Sequence, residues 1–251
     1  MSGPLRLEQV SIALEGRMLI PPFSVAVSPG EVLTLMGPSG SGKSTLLSVL
    51  GGTVAPVFRV TGRVWIGERE VTVLPPERRR IGILFQDDLL FPHLSVGENL
   101  AFGLAPSIRS RGAREARIDA ALRDAGLAGF ARRDPATLSG GQRARVALLR
   151  LLLAEPEVLL LDEPFNNLDA AMRVDFRRFV FEHARTARLP VLMVTHDVAD
   201  AQAAQGPLLE LLEAPDGAPV IQGFSGTGSP QRNTEVGPGK AALPVADEVR
   251  S

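Results

Sequence analysis

The chain has 251 residues, a formal net charge of −1, and 45% apolar and 22% charged residues, enough for a full hydrophobic core as one large domain or a domain with a subdomain. The balanced charge gives no reason to expect nucleic acid as the main ligand, and zero cysteines exclude disulfides and thiolate metal sites. No apolar run approaches the ~20 residues of a membrane span, and Met1 to Glu8 lack a signal peptide's apolar segment, so the expectation is a cytosolic chain whose membrane role needs a separate partner.

Outside one unit, residues 1–70 read as antiparallel strands. Phe23, Val25 and Val27 alternate with Ser24, Ala26 and Ser28, and Val60, Gly62, Val64 and Ile66 repeat the two-residue period further on. An alternation that begins at Leu5 slips near Gln9, the mark of a bulge. Pro29-Gly30 turns the chain into Val32-Leu33-Thr34-Leu35-Met36, an uninterrupted apolar run of the kind a buried parallel strand shows.

That run feeds Gly37-Pro38-Ser39-Gly40-Ser41-Gly42-Lys43-Ser44-Thr45, and Leu46-Leu47-Ser48-Val49-Leu50 continues as a helix. Strand, G-x-x-x-x-G-K-[ST], helix is the P-loop pattern: glycines bring backbone N–H groups onto a polyphosphate at the positive end of a helix. Lys43 supplies a point charge for the β- and γ-phosphates, and Ser44 a hydroxyl for Mg²⁺. The chain holds 25 arginines but only two lysines, Lys43 and Lys240. A guanidinium is too wide for such a nest, so the lysine is there for its shape. The reading is a nucleoside triphosphate site.

A second apolar strand runs from Ile81 to Phe85 and ends at Gln86. About sixty residues of helical pattern follow, with Ile118, Ala121, Leu122 and Ala125 on one stripe and Gly126 as a C-cap. The basic run Arg109 to Arg114 fits a solvated loop and helix face better than an RNA or lipid site. Leu138-Ser139-Gly140-Gly141-Gln142 opens another helix, capped by Ser139, with bare glycine N–H groups that form a second anion site. Standing alone it would read as an ordinary Ser-Gly-Gly helix start. Beside a P-loop, one mononucleotide has no use for two cradles, and the economical reading gives this one to the nucleotide of another copy.

Val158 to Leu161 form a strand that ends in Asp162-Glu163, and Val191 to Val194 form one that leads to His196. Between them lies a helix with Met172, Phe176, Phe179, Val180 and His183 on one stripe. Strands alternating with helices imply a parallel sheet with active groups at its carboxyl ends, where Gln86, Asp162 and His196 fall. Asp162 is placed to hold Mg²⁺ beside Ser44, and Glu163 to polarise the attacking water. Leu208 to Leu212 and Val220-Ile221 suggest terminal strands. From Ser225 onward the chain is rich in Pro, Gly and polar residues without periodicity, as a disordered tail would be.

With these residues in order, the chain resembles the ATP-binding subunits of ABC transporters, over roughly Leu5 to Gly223. Gly37 to Thr45 resemble Walker A, Leu159 to Glu163 Walker B, and Leu138 to Gln142 the ABC signature. Gln86 resembles the Q-loop glutamine, Asn166-Asn167-Leu168-Asp169 the D-loop, and Thr195-His196-Asp197 the H-loop. The resemblance implies an α/β P-loop NTPase core with a parallel sheet, an N-terminal antiparallel β-subdomain and an inserted helical signature subdomain at about residues 88–153. It further implies a head-to-tail homodimer with two ATP molecules in the interface. Each ATP would touch one copy's Walker A and Ser139, Gly140, Gly141 and Gln142 of the other. His196 would contact the γ-phosphate and hold the water with Glu163, Gln86 would join Ser44 and Asp162 at Mg²⁺, and Asp169 would cross the interface.

The stretch Arg80 to Asn99 is similar to the importer branch that works with periplasmic solute-binding proteins, especially the thiamine, iron(III), spermidine/putrescine, sulfate and molybdate subunits. There it implies a groove around Gln86 to Leu94 for a permease helix, on the inner face of the bacterial membrane. Leu89, Leu90, Phe91 and Leu94 suit that contact or a subdomain core. Three features depart from the family. Leu14 stands where an aromatic usually stacks on adenine, and the chain has no tyrosine. The D-loop begins Asn166-Asn167 instead of Ser-Ala. The tail reads as disordered, so the regulatory β-domain of many sugar and iron relatives is not expected. The competing reading, a non-transport ABC ATPase of DNA repair or translation, lacks the long coiled coil or second cassette those types carry, and a GTPase would need an Asn-Lys-x-Asp motif.

Overall fold

The structure, a computed structural model, describes residues 3–224; the expected tail lies outside them. Its strands are, in chain order, β1 (Leu5–Leu14), β2 (Arg17–Val27), β3 (Val32–Met36), β4 (Phe58–Ile66), β5 (Arg69–Glu70), β6 (Ile81–Leu84), β7 (Val158–Asp162), β8 (Val191–Thr195), β9 (Leu208–Glu213) and β10 (Pro219–Phe224). Its α-helices are α1 (Lys43–Gly51), α2 (Pro76–Arg79), α3 (Val96–Gly103), α4 (Arg111–Asp124), α5 (Gly140–Leu152), α6 (Ala170–Thr186) and α7 (Val198–Ala204).

The apolar runs are continuous because alternate side chains feed two different cores. Leu33 and Leu35 of β3, Val158 and Leu160 of β7, and Leu192 and Val194 of β8 join one cluster with Leu46, Leu47 and Leu50 of α1 and with Leu5, Leu7 and Ile12 of β1. Leu159 and Leu161, Val191 and Met193 join the other, with Val146 and Leu148 of α5 and Phe176 and Val180 of α6. A sheet covered on both faces has no solvent side for polar residues to occupy. These strands make a six-stranded sheet in the order β10-β9-β3-β8-β7-β6. It is parallel from β9 to β6, and β10 returns antiparallel on β9, so the expected parallel core carries an antiparallel edge.

The second sheet is antiparallel, in the order β2-β1-β4-β5. The slip at Gln9 is a bulge: its φ is 48°, and the register with β2 shifts between Leu7 and Val10. Gly62 on β4 is required opposite it, because at φ 89° an added Cβ would lie 2.4 Å from the Gln9 carbonyl oxygen.

Helices α3, α4 and α5 all lie between β6 and β7. The stripe Ile118, Ala121, Leu122, Ala125 is buried as expected. The cap differs by one residue: Ala125 is the C-cap, and Gly126 at φ 70° is the left-handed residue after it. Strand β6 also stops one residue early, leaving Phe85 outside it and exposed.

One side chain seals α1 from below. Arg79, buried, donates to the carbonyls of Val49 and Leu50 at the end of α1 and to those of Leu74 and Thr72. A cation at the helix C-terminus complements its dipole, and four carbonyl acceptors compensate the burial that pulls its pKa down.

Candidate active site

Strand register levels the functional groups. Met36 pairs with Thr195 and Asp162 with Val194, so Gly37, Glu163 and His196 leave the sheet at one edge. β8 lies between β3 and β7, and the first turn of α1 reaches over it: the Ser44 hydroxyl donates to Asp162 Oδ1 at 2.9 Å.

The loop before α1 is shaped for an anion. Gly42 caps the helix at φ 95°, and a Cβ there would lie 3.2 Å from Leu19 Cβ, so only glycine suits this left-handed turn against β2. Lys43 is 5% exposed, and its Nζ donates to the carbonyls of Gly37 and Pro38, both at 2.8 Å. Burial lowers its pKa, and the carboxylates of Glu163 and Asp162 act against that. The Ser41 hydroxyl is buried without a partner, an unmet polar atom inside the cradle. A cavity of about 660 Å³ opens here; Ser39, Gly40, Gly42, Lys43, Ser44, Thr45 and Glu163 line it, and Leu14, Glu15, Arg17, Leu19 and Phe58 complete the lining.

Burial pushes the Asp162 carboxyl up, against the Ser44 hydrogen bond; nearby Glu163 adds to the rise and Lys43 opposes it. A hydroxyl and a carboxylate offer hard oxygen donors that fit Mg²⁺. Among the described residues no group of three His, Cys, Asp or Glu could hold a metal. A cation at Ser44 and Asp162 would thus draw its other ligands from phosphate and water, the habit of Mg²⁺.

Glu163 has a left-handed backbone, φ 46°, with its N–H on the Val194 carbonyl at 3.0 Å. The turn aims its carboxylate at His196 Nδ1, 3.2 Å from Oε2. The same oxygen accepts from Asn166 Nδ2. The residues flanking His196 are tied to Asp200 and to two arginines of α6 that lie outside the sequence motifs. Thr195 donates to buried Asp200, Arg177 pairs with Asp200 and Asp197, and Arg173 with Asp197. Burial raises the Asp200 pKa, with Thr195 and Arg177 opposing it. The available signal was two arginines at i, i+4 on one helix and two aspartates after the histidine.

The second glycine-rich start is internally complete. Ser139 and Gln142 form a capping box, side chain to backbone in both directions, which commits the Gln142 carboxamide. The Gly141 N–H points at Met172 Sδ, 3.3 Å away, and Gly140 faces Leu168. None of Ser139, Gly140, Gly141 or Gln142 lines the P-loop cavity. Asp169 caps α6 through the Met172 N–H at 2.9 Å.

Gln86 is exposed and exchanges hydrogen bonds with Asn167: its Nε2 donates to Asn167 Oδ1, and Asn167 Nδ2 donates to its carbonyl. Among the described residues no hydrogen bond joins it to Ser44 or Asp162. Beyond it, a groove of about 650 Å³ is lined by Leu89, Phe91, Leu104, Arg150 and Phe102, the last 71% exposed. Leu90 instead packs on the core, and Leu94 is half-buried. Buried Asn99 clamps the loop, accepting from the Phe91 N–H and donating to the carbonyls of Phe91, Leu94 and Ser95. Phe102, missed in the sequence, stands edge-on to Phe91 with ring centroids 4.8 Å apart.

Comparison with known proteins agrees with this geometry. A family model described as ABC transporter matches residues 20–166. YnjD, an uncharacterized ABC transporter ATP-binding protein of Escherichia coli (strain K12), is 49% identical over 199 residues, 79% of this chain and 91% of that protein. PhnT of Salmonella typhimurium, a putative 2-aminoethylphosphonate import ATP-binding protein, is 41% identical over 78% of this chain, which spans about half (52%) of PhnT. ThiQ of Salmonella paratyphi A, a thiamine import ATP-binding protein, is 44% identical over 71% of this chain and 75% of its own length. The ATP-binding cassette MJ0796, solved as a dimer in a post-hydrolysis state with ADP and Pi, superposes with a TM-score of 0.73 at 29% identity, over 90% of this chain and all of that one. The chain belongs to the ABC transporter family, as an ATP-binding and ATP-hydrolysing subunit.

Proposed function

We propose that two copies of the chain close head to tail around two molecules of MgATP and hydrolyse them to drive a separate membrane permease for uptake of a small solute. The observation that carries the reading is that Lys43, Ser44 and Glu163 line one cavity, with Asp162 bonded to Ser44 and His196 against Glu163. Residues 5–223 act as one ATPase unit, with the helical part at about 88–153 carrying the signature.

Lys43 leaves the Gly37 and Pro38 carbonyls for the terminal phosphates, and the backbone of Gly37 to Thr45 binds the rest. Ser44 and Asp162, joined by Gln86, would hold Mg²⁺, which supplies charge neutralisation on the phosphates. Glu163 accepts the proton of the attacking water, while His196 orients the Glu163 carboxylate and meets the γ-phosphate. Ser139, Gly140, Gly141 and Gln142 of the second copy close the site from the other side, and Asp169 lies at the seam.

The groove of Leu89, Phe91 and Phe102 receives an apolar helix of the permease. Among the described residues no helix is long and apolar enough to cross a membrane; the chain would sit on the inner face of the membrane through that groove. PhnT and ThiQ carry import names, which favours uptake over repair or translation. The solute is recognised by the permease and a periplasmic binding protein. Tagged Glu163→Gln protein, purified from native membranes with MgATP, should bring down a multi-span permease. Recovery of ribosomes or repair proteins alone would overturn the reading.

A further inference from the structure

If the triphosphate lies in the Gly37–Thr45 cradle, the nucleoside must lie against the remaining cavity lining. Those residues come from the antiparallel sheet: Leu14, Glu15, Arg17, Leu19 and Phe58. Phe58 is the one aromatic in the lining among the described residues. Strand pairing explains its presence. Leu14 is directly opposite Arg17 on β2 and directly opposite Phe58 on β4, so the three form a row across three strands, on one face of the sheet.

This row is held rigidly relative to the phosphate loop. Glu15 and Gly16, at φ 49° and 86°, make the tight two-residue turn that fixes Leu14 against Arg17. Leu19, two residues further along β2, is the side chain that a Cβ on Gly42 would meet. Phe58 itself is half-buried: it packs on the edge of the core cluster and also lines the cavity. Its neighbours Val57 and Arg59 are exposed, so the ring is the side chain this strand end turns inward.

We propose that Phe58 is the base platform of this nucleotide site: the base stacks on its ring, beside Leu14, with Arg17 at the rim. The aromatic is thus supplied by β4 where Leu14 of β1 has none to give. Recognition is by the face of the base: the antiparallel sheet adds to Phe58 only the apolar Leu14 and Leu19 and the exposed Glu15 and Arg17, while the buried Lys43 belongs to the phosphate loop. The proposal rests on the nucleotide reading above.

Calorimetry with ATP and with inorganic tripolyphosphate tests it on the full chain. Phe58→Ala should weaken ATP about tenfold, the size of one lost base–aromatic stack, and leave tripolyphosphate unchanged. Phe58→Leu keeps apolar packing on the core and should lose as much ATP affinity, whereas Phe58→Trp should keep it. ATP binding unchanged in Phe58→Ala and Phe58→Leu, with Lys43→Ala losing both ligands, overturns the platform and leaves the nucleotide reading standing. A wild-type chain that binds neither ligand overturns both.

Discussion

The two glycine-rich helix starts of this chain, Gly37–Thr45 and Ser139–Gln142, are alike in composition and opposite in state. In the first, Lys43 is folded onto its own loop carbonyls and the Ser41 hydroxyl is buried without a partner. The unpartnered hydroxyl and the buried charge cost stability until an anion arrives. In the second, Ser139 and Gln142 satisfy each other and Gly141 points at Met172. A helix start that is complete on its own side chains still presents backbone N–H groups and a positive dipole end, and those act only on something brought to it from outside. One cradle is left open for a ligand; the other is the one we propose to be docked against.

Substitutions separate the two. Glu163→Gln, on the binding side, should cut turnover by about 10²–10⁴ with ATP still bound; rapid hydrolysis would remove Glu163 as base. Ser139→Arg should lower hydrolysis by about 10² while the isolated monomer binds ATP as before. Unchanged turnover would show that the second cradle never meets a nucleotide, and the contrast would collapse. Lys43→Ala should weaken ATP binding by roughly 10–100-fold, the worth of hydrogen bonds to a charged group, in monomer titrations where Ser139→Arg is silent. The smallest effect belongs to Asn166→Ala. Removing its hydrogen bond to Glu163 should lower kcat by about three- to tenfold with KM near wild type; an equal loss in the Glu163→Gln background would mean that Asn166 acts on something else.

The readable parts of the site were those whose physics is local. The P-loop needs consecutive glycines, one lysine and one hydroxyl within nine positions, and a cap needs Ser139 three residues before Gln142. Carboxylates after a strand, as at Asp162 and Glu163, need only the strand. The same local rules gave the buried runs β3, β7 and β8 and the bulge at Gln9. Arg79 shows the opposite case. Nothing in Glu77-Arg78-Arg79-Arg80 tells which guanidinium turns inward to meet the end of α1. Nor does the sequence tell that Gln86 pairs with Asn167, 81 positions away, or that Leu90 joins the core while Leu89 and Phe102 line a groove.

The sequence by itself determined the candidate chemistry: which residue types are proposed to carry the phosphate, the cation and the proton, and in what order along the chain. Short-range hydrogen bonding and periodicity suffice for that. Only the tertiary structure decided which of these groups meet, because strand order and register are set by how two cores close around one sheet. It laid Ser44 over β8 onto Asp162, set His196 against Glu163 and aligned Phe58 with Leu14 across β1. Each pairing joins residues far apart in the chain, and the packing of the strands and helices that carry them is what fixes them.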